Sequence, residues 1–296
     1  MRYRVSKLAL FFAGTFFFAG PLIAQIQVEL KVPRFQYIAY EPVLVTVGIT
    51  NLAGRDVDLR DGEGQSWFGF EITGQEGQVI GRTKSDDTQA PLQVEAGKKV
   101  TQKINLTPLF QVQDFGTYHV RAHIYFADLN KFFYSQTKVF EVTDARAVWQ
   151  KTVGLPDAGG VRTYSLLSNR FPDHTSLYVR VADRDTGVVY ATYSLGRIIA
   201  SDSPQAEIDR ANQLHILHCA APRNWSYSRV NLNGKLVSQS SFMEAKTRPR
   251  LVHATDGSVT VHGGMVETRR AEAVESVGPR TPKLSDRPAD MPKENE

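Results

Sequence analysis

The sequence predicts an all-β protein, and two observations carry that prediction. From residue 25 to about residue 268, apolar and polar residues alternate in short runs, as at 43–50 and 117–126, with the period of two of a half-buried strand. Gly, Asn and Asp separate these runs, as at 185–187 and 233–234, and they favour tight hairpin turns. The one place where the pattern allows a helical turn is near 204–212.

Composition limits the class of protein. A chain of 296 residues with 42% hydrophobic residues is long enough for two domains and too apolar to be wholly disordered. Its single cysteine excludes a disulfide framework and a Cys-rich metal site. The net charge of +4 includes Arg2, Arg4 and Lys7, so the rest is close to neutral. A nucleic-acid partner, which needs clustered basic residues, is not expected.

Residues 1–24 have the pattern of a secretory signal peptide. The three cations precede an apolar core at 8–19, and Ala24 supplies a small residue before a cut that leaves Gln25 as the first mature residue. The pattern predicts export to the periplasm or the extracellular space. An uncleaved anchor is the alternative, because the apolar stretch 8–24 is at the short limit for a membrane-spanning helix. Membrane contact is expected only through this segment.

Shifts in composition divide the chain after the signal. The alternating pattern fills a first domain at 26–143 and a second at 161–268. Between them, 144–160 ends in Pro, Asp, Ala and two glycines, which predicts a linker. The tail, 269–296, holds four prolines and six charges of each sign, and it is predicted to be disordered.

A D-x-G-x-Y pattern gives the first domain its most specific feature. Asp114, Gly116 and Tyr118 lead directly into the run 117–126, and the pattern resembles the tyrosine corner of immunoglobulin-like domains. The resemblance implies a sandwich of about seven strands in which the Tyr118 hydroxyl bonds to upstream backbone. The segments 40–42 and 95–99 are similar to those of exported bacterial sandwich domains. Val120 stands where antibody-type domains have a cysteine, so apolar packing replaces the disulfide.

The outer face of the run 117–126 is the first candidate binding surface. It consists of His119, Arg121, His123 and Tyr125. Four residues of strand span about 13 Å, so the two imidazoles cannot share one metal ion. One interpretation is a solvated sheet face. The other is a polar ridge that binds an acidic or sugar-like partner.

The second domain contains a weak repeat. Residues 204–216 align with 249–261 at an offset of 45, and the hairpin 177–193 pairs loosely with 227–239. This arrangement resembles the blades of β-propellers, most of all the sialidase-type extracellular ones. The domain holds only about two such units, whereas a closed propeller needs at least four blades. Either two or three chains associate as a homo-oligomer, or the strands close as a sandwich or barrel, which we favour because stacked sheets need no partner.

A second candidate binding cluster combines aromatic and basic residues. It consists of Arg223, Trp225, Tyr227 and Arg229. Such residues stack on sugar rings or anchor a protein interface, and they also simply fill hairpins.

Catalytic motifs for nucleotide, hydrolase, zinc and calcium chemistry are missing from the sequence. His215, His218, His253 and His262 supply no ligand set, Asp209 and Asp256 have the positions of turn-forming residues, and Cys219 has the surroundings of a buried thiol. No catalytic residue, metal or cofactor is therefore assigned.

The sequence predicts an exported, non-enzymatic binding or scaffolding protein of the cell envelope or extracellular space, with a protein or carbohydrate ligand. The alternative is an envelope hydrolase that acts on polysaccharide or peptide through the second domain. A hydrolase should have a pocket where acidic and His side chains converge, whereas a binder should have an exposed aromatic or polar sheet face. In a third interpretation, the first domain is a spacer or a protease-inhibitor-like module that presents the second.

Overall fold

The computed structural model describes residues 25–83, 89–155 and 160–267. The predicted signal segment, including Ala24, and the predicted tail 269–296 lie outside the described residues. The described chain is built from antiparallel sheets, which confirms the all-β prediction, and its helical structure amounts to one short turn, Ala127–Leu129. Within those residues, no helix has the length and apolar character to cross a membrane. The chain divides into two compact units, unit 1 up to Ala145 and unit 2 from Arg146.

Ten strands lie among the described residues of unit 1. They are β1 (Ile26–Lys31), β2 (Gln36–Ile38), β3 (Leu44–Asn51), β4 (Val57–Leu59), β5 (Phe68–Gly74), β6 (Leu92–Val94), β7 (Lys99–Asn105), β8 (Gly116–Phe126), β9 (Lys131–Tyr134) and β10 (Lys138–Thr143). One sheet has the order β1-β3-β7, and a second has the order β2-β10-β8-β5, with β9 also paired to β8. The short strands β4 and β6 pair separately. All these pairs are antiparallel except β2 with β10.

The core of unit 1 is formed by the inward residues of both sheets. Val47 of β3 and Val120 of β8 lie in it together with Trp67 and Phe140. The bend into β8 carries Gly116 at φ +147°, a conformation that favours glycine. The Tyr118 hydroxyl donates to the Asp114 carbonyl at 2.8 Å, and this bond ties the bend to the strand.

The prediction of a linker at 144–160 is wrong for most of that segment. Strand β11 (Arg146–Gly154) occupies it and pairs with the next strand from Arg146 to Gly154. The physical reason is that Trp149 and Val153 pack against the core of unit 2, while Pro156 and the glycine pair at 159–160 follow the strand in the sequence. Residues 156–159 lie outside the described residues.

The part of unit 2 that the structure describes has eleven strands. After β11 come β12 (Val161–Arg170), β13 (Thr175–Asp183), β14 (Val189–Ile198), β15 (Gln205–Ile208), β16 (Leu214–Ala221), β17 (Asn224–Val230), β18 (Leu236–Met243), β19 (Arg250–His253), β20 (Val259–His262) and β21 (Met265–Glu267). One sheet has the order β11-β12-β13-β14, and the other has the order β15-β16-β17-β18-β21. Strands β19 and β20 form a separate hairpin. The helical turn expected near 204–212 is instead strand β15 and a tight turn, because Asp209 binds the backbone of its own turn.

Both larger sheets of unit 2 contribute to a single core. Val179 and Leu195 of the first sheet lie there with Leu214, Ile216 and Val230 of the second. Two sheets of one chain thus share an interior, as in the sandwich alternative.

The 45-residue repeat corresponds to two real hairpins. Strands β15 and β19 begin at Gln205 and Arg250, and strands β16 and β20 begin at Leu214 and Val259. The two hairpins also touch, because the Leu251 N–H donates to Gln205 Oε1 at 2.8 Å. Beyond this contact, the second hairpin covers an apolar patch on β16 and β17.

Candidate functional site

The outer face of β8 is only partly the open surface that the sequence predicts. Arg121 forms an ion pair with Glu71 at 2.5 Å, and its guanidinium lies 4.3 Å from the ring centre of Tyr134. This cation is therefore already paired, which weakens the case for an acidic partner. His119 lies half-buried on the same face.

The far end of this face is covered. Tyr125 is 1% exposed, and its hydroxyl donates to Asn130 at 3.0 Å. The prediction that Tyr125 lies on an exposed surface is therefore wrong. His123 stacks edge-on against Phe132 and lies over Gly69, where a Cβ would come 2.6 Å from its Nε2. Burial lowers the pKa of His123. The physical reason is that β9 folds back along β8, which alternation within a single strand cannot reveal.

The cluster at 223–229 is not a stacking platform. Trp225 is 1% exposed and packs with Cys219 beneath Leu251 of the β19–β20 hairpin. Its indole N–H donates to Glu244 at 3.3 Å. The exposed Arg223 lies in the preceding turn at φ +63°. The hairpin covers this face of β17, so the expectation that Trp225 stacks on a ligand is wrong.

Tyr227 belongs to a chain of three hydrogen-bonded groups that the sequence analysis missed. Its hydroxyl lies 2.7 Å from His215 Nδ1, and His215 Nε2 lies 2.9 Å from Asp209 Oδ2. The other Asp209 oxygen accepts the N–H groups of Ala211 and Gln213. Because a carboxylate only accepts, Nε2 carries the proton and Nδ1 accepts from Tyr227. The register of β16 with β17, which places His215 opposite Arg229 and diagonal to Tyr227, is the signal that would have found this chain.

These three hydrogen-bonded groups are arranged so that a proton can move between them, but few of their atoms are accessible from solvent. His215 is buried, so only the half-buried ends, Tyr227 and Asp209, offer atoms to an incoming molecule. Burial raises the pKa of Tyr227, and the Asp209 charge raises it further, while Arg229 opposes them. The tyrosine is thus held in its protonated form. The three groups hold the β15–β16 turn against the sheet.

A polar cleft of about 610 Å³ opens in unit 2. Half of its lining residues carry hydroxyl or amide side chains, one carries a carboxylate and four are small or apolar: Asn224, Ser226, Gln239, Ser240, Ser241, Glu267, Leu195, Ala220, Ala221 and Val266. None of these residues was predicted from the sequence to bind a ligand.

Strand register explains how the cleft forms. His218 lies opposite Ser226, Ser226 opposite Ser241, and Ser241 opposite Glu267. Directly opposed residues share one face of a sheet, so these four residues form a polar row across β16, β17, β18 and β21. We call them the transverse row. The last three line the cleft, and His218 is the inner end of the row.

The inner end of the row has unused hydrogen-bonding capacity. His218 is 0% exposed, and among the described residues its ring nitrogens make no hydrogen bond of normal geometry, although the Arg197 backbone is close enough to favour the charged imidazole. The Ser228 hydroxyl is likewise buried and without a partner there. Burial lowers the pKa of His218 to about 4, with the Arg197 backbone acting in the opposite direction, so the imidazole is neutral near pH 7. Buried polar atoms of this kind normally have a partner.

The described residues contain no group of three His, Cys, Asp or Glu that would hold a metal ion. His253 does not face His262 across the hairpin, since it pairs with Val259 and its Nε2 lies 2.9 Å from Glu207. Asp256 accepts the Ser258 N–H in its turn. Burial raises the pKa of the Cys219 thiol.

No family model and no curated protein matches the chain. Among solved structures, a chain titled "NanB plus Optactamide" aligns with 80% of this chain at 9% identity and a TM-score of 0.25. The aligned region covers 48% of that protein, so the present chain spans about half of its length.

Proposed function

We propose that the protein is an exported, non-enzymatic binding protein that holds a neutral or amine-bearing saccharide in the polar cleft of unit 2. The observation that carries this proposal is the transverse row. Three of its side chains line the cleft, and the fourth, His218, is a buried imidazole whose ring nitrogens make no hydrogen bond of normal geometry among the described residues.

The chemistry of the lining favours a saccharide. Serine hydroxyls and the amides of Asn224 and Gln239 both donate and accept hydrogen bonds, as sugar hydroxyls do. The short serine side chains leave room for a ligand. Glu267 is the only charged residue among the lining residues, so polyanions are disfavoured and an amine is tolerated.

The spacing within the row argues against hydrolysis at the cleft. His218 and Glu267 lie three strands apart, a separation of about 14 Å. Paired catalytic carboxyl groups of glycosidases lie about 5–9.5 Å apart. The lining therefore supplies hydrogen bonds but no acid and base at catalytic spacing.

Two features support export and an immunoglobulin-like role for unit 1. The cations and apolar core of residues 1–24 have the pattern of a signal peptide. In unit 1, the sheet orders β1-β3-β7 and β10-β8-β5 and the bond from Tyr118 to Asp114 match an immunoglobulin-like sandwich. We place unit 1 as the module that presents unit 2 in the envelope.

Calorimetric titration of the protein with a panel of neutral and amino-sugar oligosaccharides tests the proposal. We expect at least one oligosaccharide to bind, and we expect Ser241→Ala combined with Gln239→Ala to weaken binding at least tenfold. Ser238→Ala is the matched control, because Ser238 lies on the same strand and outside the cleft lining. Equal binding by the double variant and the control, or no binding by any member of the panel, would contradict the proposal.

A hydrolase is the second candidate, and the chain from Tyr227 through His215 to Asp209 is the observation that favours it. Release of reducing ends or peptide amines from envelope polymers measures this activity. Our proposal expects no release. Hydrolysis that Tyr227→Phe abolishes would support the hydrolase instead.

A further inference from the structure

The outer edge of β11 lacks the cover or the short length that protects several other sheet edges among the described residues. In unit 1, the segment after β5 returns along that strand, where the Ile80 N–H donates to the Ile72 carbonyl at 2.9 Å. In unit 2, β21 has only three residues. Short and covered edges are among the usual protections against unwanted strand pairing.

Strand β11 has nine residues and pairs on one side only, with β12. The bond from the Leu155 N–H to the Gly160 carbonyl, at 2.8 Å, sets the alternation of the ladder. Lys151 and Val153 therefore direct their backbone groups to β12, and Gln150 and Thr152 direct theirs outward. The Gly154 carbonyl accepts from Asn212 Nδ2 at 3.3 Å, so the open section lies before it.

The side chains along this open section leave it accessible. Gln150, Lys151 and Thr152 are exposed, and Val148 is 43% exposed. The strand contains no proline, and its only charged residues are Arg146 and Lys151. Trp149 and Val153 flank Lys151 on the face that packs against the core of unit 2.

We propose that β11 binds an extended, acidic segment of a partner protein by strand addition. The segment forms backbone hydrogen bonds with Gln150 and Thr152 and extends the sheet by one strand. Its apolar residues lie beside Trp149 and Val153, and a carboxylate between them lies beside Lys151. A second copy of this chain fits poorly, because two β11 strands would bring together four cations and no carboxylate.

The test uses the labelled nonapeptide Ser-Thr-Val-Thr-Glu-Thr-Val-Thr-Ser and a counterpart in which Lys replaces Glu. Fluorescence anisotropy measures binding to the protein, and amide hydrogen exchange locates it. We expect the acidic peptide to bind at least tenfold more tightly than its counterpart and to protect the Gln150 and Thr152 amides.

Two variants make the test specific. Gln150→Pro removes an outward N–H and should weaken binding at least tenfold, whereas Gln150→Ala keeps that N–H and should bind normally. Lys151→Glu, which alters no backbone group, should reverse the preference between the peptides even if the proline variant does not fold.

Any of four results would overturn the proposal. The first two are that the acidic peptide does not bind at millimolar concentration, or that both peptides bind equally well. The third is that the peptide protects only amides of other strands from hydrogen exchange. The fourth is that the protein sediments as a dimer and that Gln150→Lys dissociates this dimer. The dimer would assign the edge to a second copy of the chain.

Discussion

A Cβ atom placed on Gly234 would lie 2.4 Å from the Cβ of Ala191. Gly234 closes the turn between β17 and β18 at φ +76°, so the turn packs against β14 only because this residue lacks a side chain. Gly234→Ala should lower the free energy of unfolding by about 2–4 kcal/mol, which combines backbone strain with overpacking. Urea denaturation measures the loss.

Gly187 provides the matched control for that substitution. It closes the β13–β14 hairpin at φ +72°, and a Cβ there would meet nothing within 4 Å. Gly187→Ala should therefore cost only the backbone strain, about 1 kcal/mol. If both variants lost the same unfolding free energy, the contact with Ala191 would not contribute to the destabilisation by Gly234→Ala.

Tyr118→Phe tests the bend into β8. The variant loses the hydrogen bond to the Asp114 carbonyl and keeps the ring that stacks on Phe140 at 5.3 Å. The free energy of unfolding should fall by about 1–2 kcal/mol, as measured by urea denaturation. Asp114→Ala leaves the acceptor carbonyl in place and should cost less. The opposite order would assign the stability of the bend to the Asp114 side chain.

Local patterns in the sequence were sufficient for many of the strands and hairpins, but not for β11, which was predicted as a linker, or β15, which was predicted as a helical turn. Alternation alone located the runs at 43–50 and 117–126, and turn residues located hairpins such as β13–β14, because both signals lie within a few residues of chain. The offset between β15–β16 and β19–β20 was visible for the same reason.

Long-range packing determined what the sequence could not predict. Trp225 is buried because a hairpin that begins at Arg250 packs over it. Tyr125 is buried because β9 folds back and pairs with β8. The transverse row needs the register of four strands at once. None of these relationships leaves a mark in the alternation of a single strand.

Cys219 reports whether the β19–β20 hairpin stays closed. The thiol is 5% exposed, burial raises its pKa, and Leu251 packs over it. Maleimide labelling of the native protein should therefore be slow, and Leu251→Ala should accelerate it about tenfold. Val237→Ala, a truncation of an exposed residue on β18, serves as the control. Fast labelling of the unaltered protein would mean that the hairpin does not shield the patch.

His218 should make the stability of unit 2 depend on pH. Burial lowers its pKa from 6.5 to about 4 in the folded chain, so between these values the unfolded chain binds the proton and the folded chain does not. Stability is therefore full above pH 6.5 and falls as the pH approaches 4, by about 3 kcal/mol in total. Below pH 4 both states are protonated and this contribution no longer changes.

His218→Leu isolates that contribution from the other histidines. The variant removes the buried imidazole, so the difference in unfolding free energy between it and the unaltered protein should grow in the variant's favour as the pH falls from 6.5 to 4. His262→Leu removes an exposed imidazole and should leave the pH profile close to that of the unaltered protein. Urea denaturation at half-unit pH steps measures both differences. Parallel curves of unfolding free energy against pH for His218→Leu and the unaltered protein would mean that a partner in the fold stabilises the protonated form of His218. The inner end of the transverse row would then have no unused hydrogen-bonding capacity for a ligand.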